Sequence, residues 1–192
     1  FELNSVHKIA VNELIAKVAK SQINSRKQLT EMLSVDELKH ITADKGGYAM
    51  QLYRRAFNAS VSPEEDALFY AIGALGQLEN DIFDIFDDST NEIKTLANSG
   101  LTYSELQSYY MELQSDILLN LKNTNYTEEQ KLHFKRFLKL VIARGKVALN
   151  QISGLIQANE NVSKLANYSR KELICDMEKP LNQLKLLYYT LG

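Results

Sequence analysis

The sequence is poor in the residues that form disulfides and tight turns. Its 192 residues include one Cys, two Pro, eight Gly and no Trp. A lone Cys175 excludes a disulfide within the chain, fits a reducing cytoplasm and is best read as a small core residue. Few Pro and Gly leave room for few turns, so the composition predicts long helices in an all-α, multi-helix bundle. At this length we expect one domain, residues 1–192.

Strong charge and long apolar runs are also absent. The net charge is −2, so no global field favours a nucleic-acid partner. No run of 18 apolar residues occurs, so no membrane span is expected. The three His show no metal-ligand spacing to one another or to Cys175. Apolar residues make up 45% of the chain, enough for a full core.

Start and stop signals divide the chain into helices. Ser62-Pro63-Glu64-Glu65 combines a cap, a first-turn Pro and acids at the positive end of the dipole. Thr127 with Gln130 forms a capping-box pattern, and Pro180 should kink or restart the final helix. Gly46-Gly47 should weaken or break the helix in which it lies. The predicted helices are 1–21, a short one from residue 25, 35–57, 63–97, one from Thr102 or Ser104 to Leu121, 127–158 and 162–191.

The most informative segment is 76–88, which separates into two faces when wound as a helix. Asn80, Asp84 and Asp88 recur at four-residue steps and stack along one line of roughly 12 Å. Carboxylate and amide oxygens are ligands that Mg²⁺ accepts. No Lys or Arg occurs between positions 55 and 94 to neutralise this line. The opposite face is apolar, so we expect the line to face the bundle interior or a cleft. The line consists of Asn80, Asp84 and Asp88 with Gln77 and Asp87 beside it; the apolar stripe consists of Leu75, Leu78, Ile82, Ile85 and Phe86.

The pattern Gln77-x-x-Asn80-x-x-x-Asp84-x-x-x-Asp88 resembles the second metal-binding motif of class I isoprenoid synthases. It is most similar to the squalene/phytoene synthase version. It also resembles the Asn/Ser/Glu triad of terpene cyclases, and Asn80-Asp81-x-x-Asp84 is similar to the Asp-rich motif of trans-prenyltransferases. The upstream Lys45-Gly46-Gly47 resembles a small-residue helix break near the substrate of such enzymes. The resemblance covers roughly residues 41–98.

The resemblance implies an all-α bundle of the isoprenoid-synthase type and Mg²⁺-dependent ionisation or transfer of an allylic prenyl diphosphate. The lone Cys175 favours a cytoplasmic protein, and a homodimer is one possible assembly. The implied roles fall into three sets. Metal ligands are Asn80, Asp84 and Asp88; supporting residues are Gln77, Asp81 and Asp87; diphosphate-binding residues are Lys45, Arg54 and Arg170.

The sequence departs from that family at two places. The family carries a first Asp-rich motif on a facing helix, typically more than a hundred residues upstream, whereas 79 residues precede Asn80 and among them Asp36 and Asp44 stand alone. Glu92-Ile93 replaces the Gly-Arg pair that usually follows the second motif. We therefore expect the C-terminal portion of a longer fold that is incomplete on its N-terminal side. The alternative is a non-catalytic helical-bundle interaction protein that lacks the first motif.

Overall fold

The structure is a computed structural model that describes residues 5–57 and 60–191. The described part is all-α, as predicted, and contains no strand; an isolated bridge joins Thr102 and Asn161. The helices are α1 (Ser5–Ser25), α2 (Lys27–Thr30), α3 (Val35–Arg55), α4 (Pro63–Phe83), α5 (Ile85–Thr90), α6 (Tyr103–Asn123), α7 (Glu128–Ser153), a 3₁₀ helix (Val162–Asn167), α8 (Arg170–Leu173) and α9 (Pro180–Leu191). Among the described residues no helix is both long and apolar enough to cross a membrane.

The chain separates into two compact units. Unit 1 comprises Phe1–Leu78 and Glu112–Thr124, and unit 2 comprises Glu79–Met111 and Asn125–Gly192. In unit 1, α1 packs against α3. The buried apolar side chains of unit 1 include Leu14, Leu38, Ile41, Leu68, Leu75, Leu78, Leu113, Ile117 and Leu121.

In unit 2, the long helix α7 packs against α9, and α5 contacts both α8 and the 3₁₀ helix. Cys175 is buried there, as expected of a core residue. The buried apolar side chains of unit 2 include Ile82, Ile85, Leu96, Leu106, Tyr110, Leu138, Val147, Ile152, Val162 and Leu165.

Side-chain hydrogen bonds cap the N-terminal ends of α3, α4 and α7. Ser34 and Glu37 form a reciprocal capping box at the start of α3, and Thr127 and Gln130 form one at the start of α7. Ser62 Oγ accepts the Glu65 backbone N–H at 3.2 Å, which caps α4. These three starts were predicted correctly.

The expected break of α3 at Gly46-Gly47 does not occur, because the helix is continuous from Val35 to Arg55. A Cβ at Gly46 would overlap the backbone carbonyl of Gly73, and one at Gly47 would overlap the ring of Tyr70. The two glycines therefore allow α3 and α4 to cross at backbone contact.

The helix ends were predicted less well. The final segment, 162–191, is a 3₁₀ helix and two α-helices rather than one long helix, although Pro180 does restart it. Ser169 and Glu172 form a capping box of their own, which begins α8. α7 ends at Ser153, five residues before the predicted end.

Candidate metal-binding face on α4 and α5

The helix that carries the motif ends earlier than position 97. α4 stops at Phe83, Asp84 takes φ −91° and ψ 8°, and α5 continues to Thr90. Glu92 then adopts a left-handed φ of 57°, and the Ile93 N–H bonds the Asp88 carbonyl at 2.9 Å. This is the bond of a Schellman motif, with Glu where Gly is usual. The sequence signal for the end was therefore missing.

Helical hydrogen bonding nevertheless continues across the break at Asp84. The Asp84 N–H bonds the Asn80 carbonyl at 2.9 Å, and the Asp88 N–H bonds the Asp84 carbonyl at 2.8 Å. The four-residue spacing of the motif is thus kept, although its three members belong to two helices. The predicted apolar stripe is buried at Leu75, Leu78, Ile82 and Ile85 and half-buried at Phe86.

Asn80 and Asp84 are adjacent, and both are exposed. The Asn80 Nδ2 donates to Asp84 Oδ2 at 2.9 Å, and the Asn80 Oδ1 and Asp84 Oδ1 take no part in that hydrogen bond. The expectation that the line faces the interior was wrong for these two residues. Because the apolar side of α4 is already buried at Leu78 and Ile82, the polar side faces solvent.

The other residues of the predicted site differ in exposure. Asp88 and Gln77 are half-buried, Asp87 is exposed, and Asp81 is buried. In the described part of the chain, no group of three or more Asp, Glu, His or Cys side chains is arranged to hold a metal ion. Asn80 and Asp84 therefore offer a few oxygen ligands on an open face rather than a closed cage.

The start of the motif contacts the Lys45-Gly46-Gly47 segment. A Cβ at Gly46 would come within 2.8 Å of the Gln77 Cβ as well as overlapping Gly73. Next to this crossing, the Tyr70 hydroxyl donates to Asp44 Oδ1 at 2.6 Å. Gly46 and Gln77, which both belong to the family resemblance, are thus neighbours within unit 1 although they are 31 residues apart.

Glu79, which the sequence analysis did not select, is the most buried acid on α4, at 1% exposure. Its Oε1 lies 2.7 Å from the Tyr110 hydroxyl, and its Oε2 lies 3.7 Å from the Arg144 Nε. Burial raises the pKa of Glu79 to about 7, although Tyr110 and Arg144 act in the opposite direction. Burial also raises the pKa of Tyr110. Glu79 anchors α4 immediately before Asn80.

Gly145 makes room for this anchor. A Cβ there would lie 2.5 Å from Glu79 Oε1 and would overlap the Tyr110 hydroxyl. Position 145 is 66 residues from Glu79 in sequence, and no local pattern links the two. The sequence signal for burial was the helical position of Glu79, four residues after Leu75 and three before Ile82, which puts it beside the apolar stripe.

Arg144 is the cation next to the motif within unit 2. Its guanidinium carbon lies 4.9 Å from the ring centroid of Phe83, the residue before Asp84. About half of its side chain is exposed, at 52%. An arginine with a partly exposed side chain is suited to bidentate recognition of phosphate oxygens. The sequence analysis missed Arg144 because it lies on α7, far from the motif in sequence.

The three predicted diphosphate-binding residues are divided between the two units. Arg54 is in unit 1, where its Nε and Nη2 bond Glu65 Oε1 at 2.8 and 2.7 Å. Lys45 is half-buried in the same unit. Arg170 is exposed in unit 2, at the start of α8. Arg54 is therefore engaged by a carboxylate that a phosphate would have to displace.

Comparisons of this chain with family models, with curated proteins and with solved structures find no match.

Proposed function

We propose that this chain supplies one metal-binding wall of a Mg²⁺-dependent site that ionises or transfers an allylic prenyl diphosphate. The observation that carries the proposal is that Asn80 and Asp84 are both exposed at the end of α4 and are joined by a 2.9 Å hydrogen bond from Asn80 Nδ2 to Asp84 Oδ2, so that their side-chain oxygens belong to neighbouring groups. Mg²⁺ is commonly bound through one or two carboxylates and completed by substrate phosphates and water. An open face with few ligands fits that mode better than it fits a metal held by protein alone.

Asn80, Asp84 and Asp88 would hold the metal, with Gln77, Asp81 and Asp87 supporting it. When bound, Mg²⁺ neutralises charge on the departing diphosphate. Arg144 is a better candidate for phosphate contact than Arg54, because its side chain is 52% rather than 17% exposed and its ion pair with Glu79 is longer, at 3.7 Å against 2.7 Å for Arg54 with Glu65. Lys45 and Arg170 remain proposed phosphate contacts from the resemblance. Glu79 is a positioning residue, since it fixes α4 one residue before Asn80.

A thermal-shift series with MgCl₂, pyrophosphate and both together tests the proposal. We expect the shift with both ligands to exceed the two single shifts added, because each ligand completes the site for the other. Binding only to the folded state stabilises it by about 2.7 kcal/mol at a hundredfold excess over Kd. Asp84→Asn should abolish the excess shift, whereas Asp116→Asn, an exposed acid on α6, should preserve it. No excess shift in the unmodified chain would contradict the proposal.

A second proposal is a non-catalytic helical-bundle interaction protein. It is favoured by the lack of a three-acid metal cluster among the described residues and by the large apolar side chains exposed on α9. Such a protein would show no joint effect of Mg²⁺ and pyrophosphate, and Asp84→Asn would not alter its thermal response to either.

A further inference from the structure

The outward face of α9 is more apolar than its inward face. Four Leu and one Tyr are between 56% and 76% exposed: Leu181, Leu184, Leu187, Tyr188 and Leu191. At 100° per residue these five occupy an arc of about 120°. The opposite side of α9, which faces α7 and the rest of unit 2, carries the buried Asn182 and the half-buried Lys185, Leu186, Tyr189 and Thr190. An isolated surface helix normally has the reverse arrangement.

The pattern fits a helix–helix seam. Leu181, Leu184, Tyr188 and Leu191 are spaced by three, four and three residues, as in the a and d positions of a heptad repeat. The exposed arc contains no charged residue. Two copies of this face therefore meet without charge repulsion. Because each copy presents the same uncharged face, two copies related by a two-fold axis would make the same contacts.

The exposed area is sufficient for a weak specific dimer. About two-thirds of five large side chains amounts to roughly 600 Å² per copy, so a symmetric pair would bury roughly 1,200 Å², the lower limit of specific interfaces. A membrane surface is a poorer fit, because interfacial helices usually carry several Lys or Arg on the polar face. α9 has Lys185 alone, and its Nζ is bonded to Asn150 Oδ1 at 2.6 Å.

We propose that the exposed face of α9 binds the same face of a second copy of this chain, forming a two-fold symmetric dimer. The inference does not depend on the function proposed above, since a dimer contact serves an enzyme and an interaction protein equally well. Leu184 and Tyr188, at the centre of the seam, should be the main contacts.

Sedimentation velocity over a concentration series tests the dimer. We expect the unmodified chain to dimerise with a Kd on the order of 10 μM, typical of a small interface. Leu184→Glu should weaken dimerisation at least 100-fold. Leu119→Glu is the matched control, because Leu119 is 57% exposed on α6 and the same side chain is introduced. It should leave the Kd unchanged.

A mixing experiment separates loss of pairing from loss of folding. Leu184→Glu and Leu184→Lys should each be monomeric, and an equimolar mixture should form a mixed dimer because the two copies then carry opposite charges in the seam. A monomeric unmodified chain at several hundred micromolar, or a Leu184→Glu variant that still dimerises, would overturn the proposal. So would a monomer that floats with anionic phospholipid vesicles, which would assign the face to a membrane instead.

Discussion

The Tyr110 hydroxyl lies 2.7 Å from Glu79 Oε1 and 3.0 Å from the Ile142 backbone carbonyl. A hydroxyl has one proton, so Tyr110 cannot donate fully to both oxygens. If Glu79 is protonated, its O–H donates to Tyr110, and Tyr110 donates to Ile142. The Glu79 and Tyr110 protons then each have an acceptor. If Glu79 is ionised, Tyr110 turns its proton to the carboxylate and the Ile142 contact is lost. The hydrogen bond from Tyr110 to Glu79 therefore favours the ionised acid and lowers its pKa, whereas burial, the larger effect, raises it.

The first prediction concerns pH. The pKa of Glu79 is raised from 4.5 to about 7 in the folded state, so the folded chain retains a proton that the unfolded chain releases. This contribution to the free energy of unfolding is complete below about pH 4.5 and is lost as the pH rises through about 7. Its full size is at most about 3 kcal/mol. Chemical denaturation between about pH 5 and 8 should therefore show stability falling with pH.

Glu79→Gln is the matched variant, because the amide has the shape of the acid and does not titrate. The stability of Glu79→Gln relative to the unmodified chain should increase with pH. The variant should have its largest advantage at the alkaline end of that range. A difference that is constant across the range would show that Glu79 does not titrate there. Taking the difference also cancels the contribution of the histidines.

The second prediction concerns Tyr110. Tyr110→Phe removes the hydroxyl that bonds Glu79 and leaves a buried acid with one partner fewer. We expect a loss of about 1–3 kcal/mol in the free energy of unfolding, the usual cost of an unsatisfied buried polar group. Tyr53→Phe, at a side chain that is 65% exposed, should change stability by less than about 0.5 kcal/mol. Equal effects of the two substitutions would exclude a special role for the Tyr110 hydroxyl.

Local sequence signals were sufficient for the fold class and for most helix starts. The caps at Ser62 and Thr127 act within three or four residues, so they were identified from spacing alone. The apolar stripe of α4 was also correct, because helical periodicity determines which residues share a face. The end of α5 was missed, since Glu92 occupies a position where Gly is the usual signal.

The candidate site was predicted less completely, because its environment is built from residues distant in sequence. Periodicity correctly put Asn80 and Asp84 opposite the core, but it could not tell a cleft from open solvent. Glu79, Tyr110 and Arg144 meet through three different helices, and only the folded chain brings them together. The role of Gly46 was misread for the same reason, since its contact is Gly73 on α4 rather than its own helix.

The third prediction compares two glycines on neighbouring helices. Gly46→Ala should destabilise the chain by at least about 2 kcal/mol, because the new Cβ would overlap the Gly73 backbone, which cannot move aside cheaply. Gly76→Ala should stabilise it by about 0.5–1 kcal/mol, because Gly76 lies inside α4 and its new Cβ would meet no neighbouring atom within 4 Å. Urea denaturation of both variants provides the test, and a neutral Gly46→Ala would contradict the close crossing of α3 and α4.

The last prediction concerns Glu92 after the candidate site. Its φ of 57° is unfavourable for a side chain with a Cβ, whereas Gly adopts this conformation readily. Glu92→Gly should therefore stabilise the chain by up to about 1 kcal/mol. Glu92→Ala is the control, since it removes the same carboxylate but keeps the Cβ, and it should be less stable than Glu92→Gly by about 1 kcal/mol. Thermal denaturation of the two variants measures this difference. If they are equally stable, the left-handed turn that ends α5 beyond Asp88 is not formed in solution.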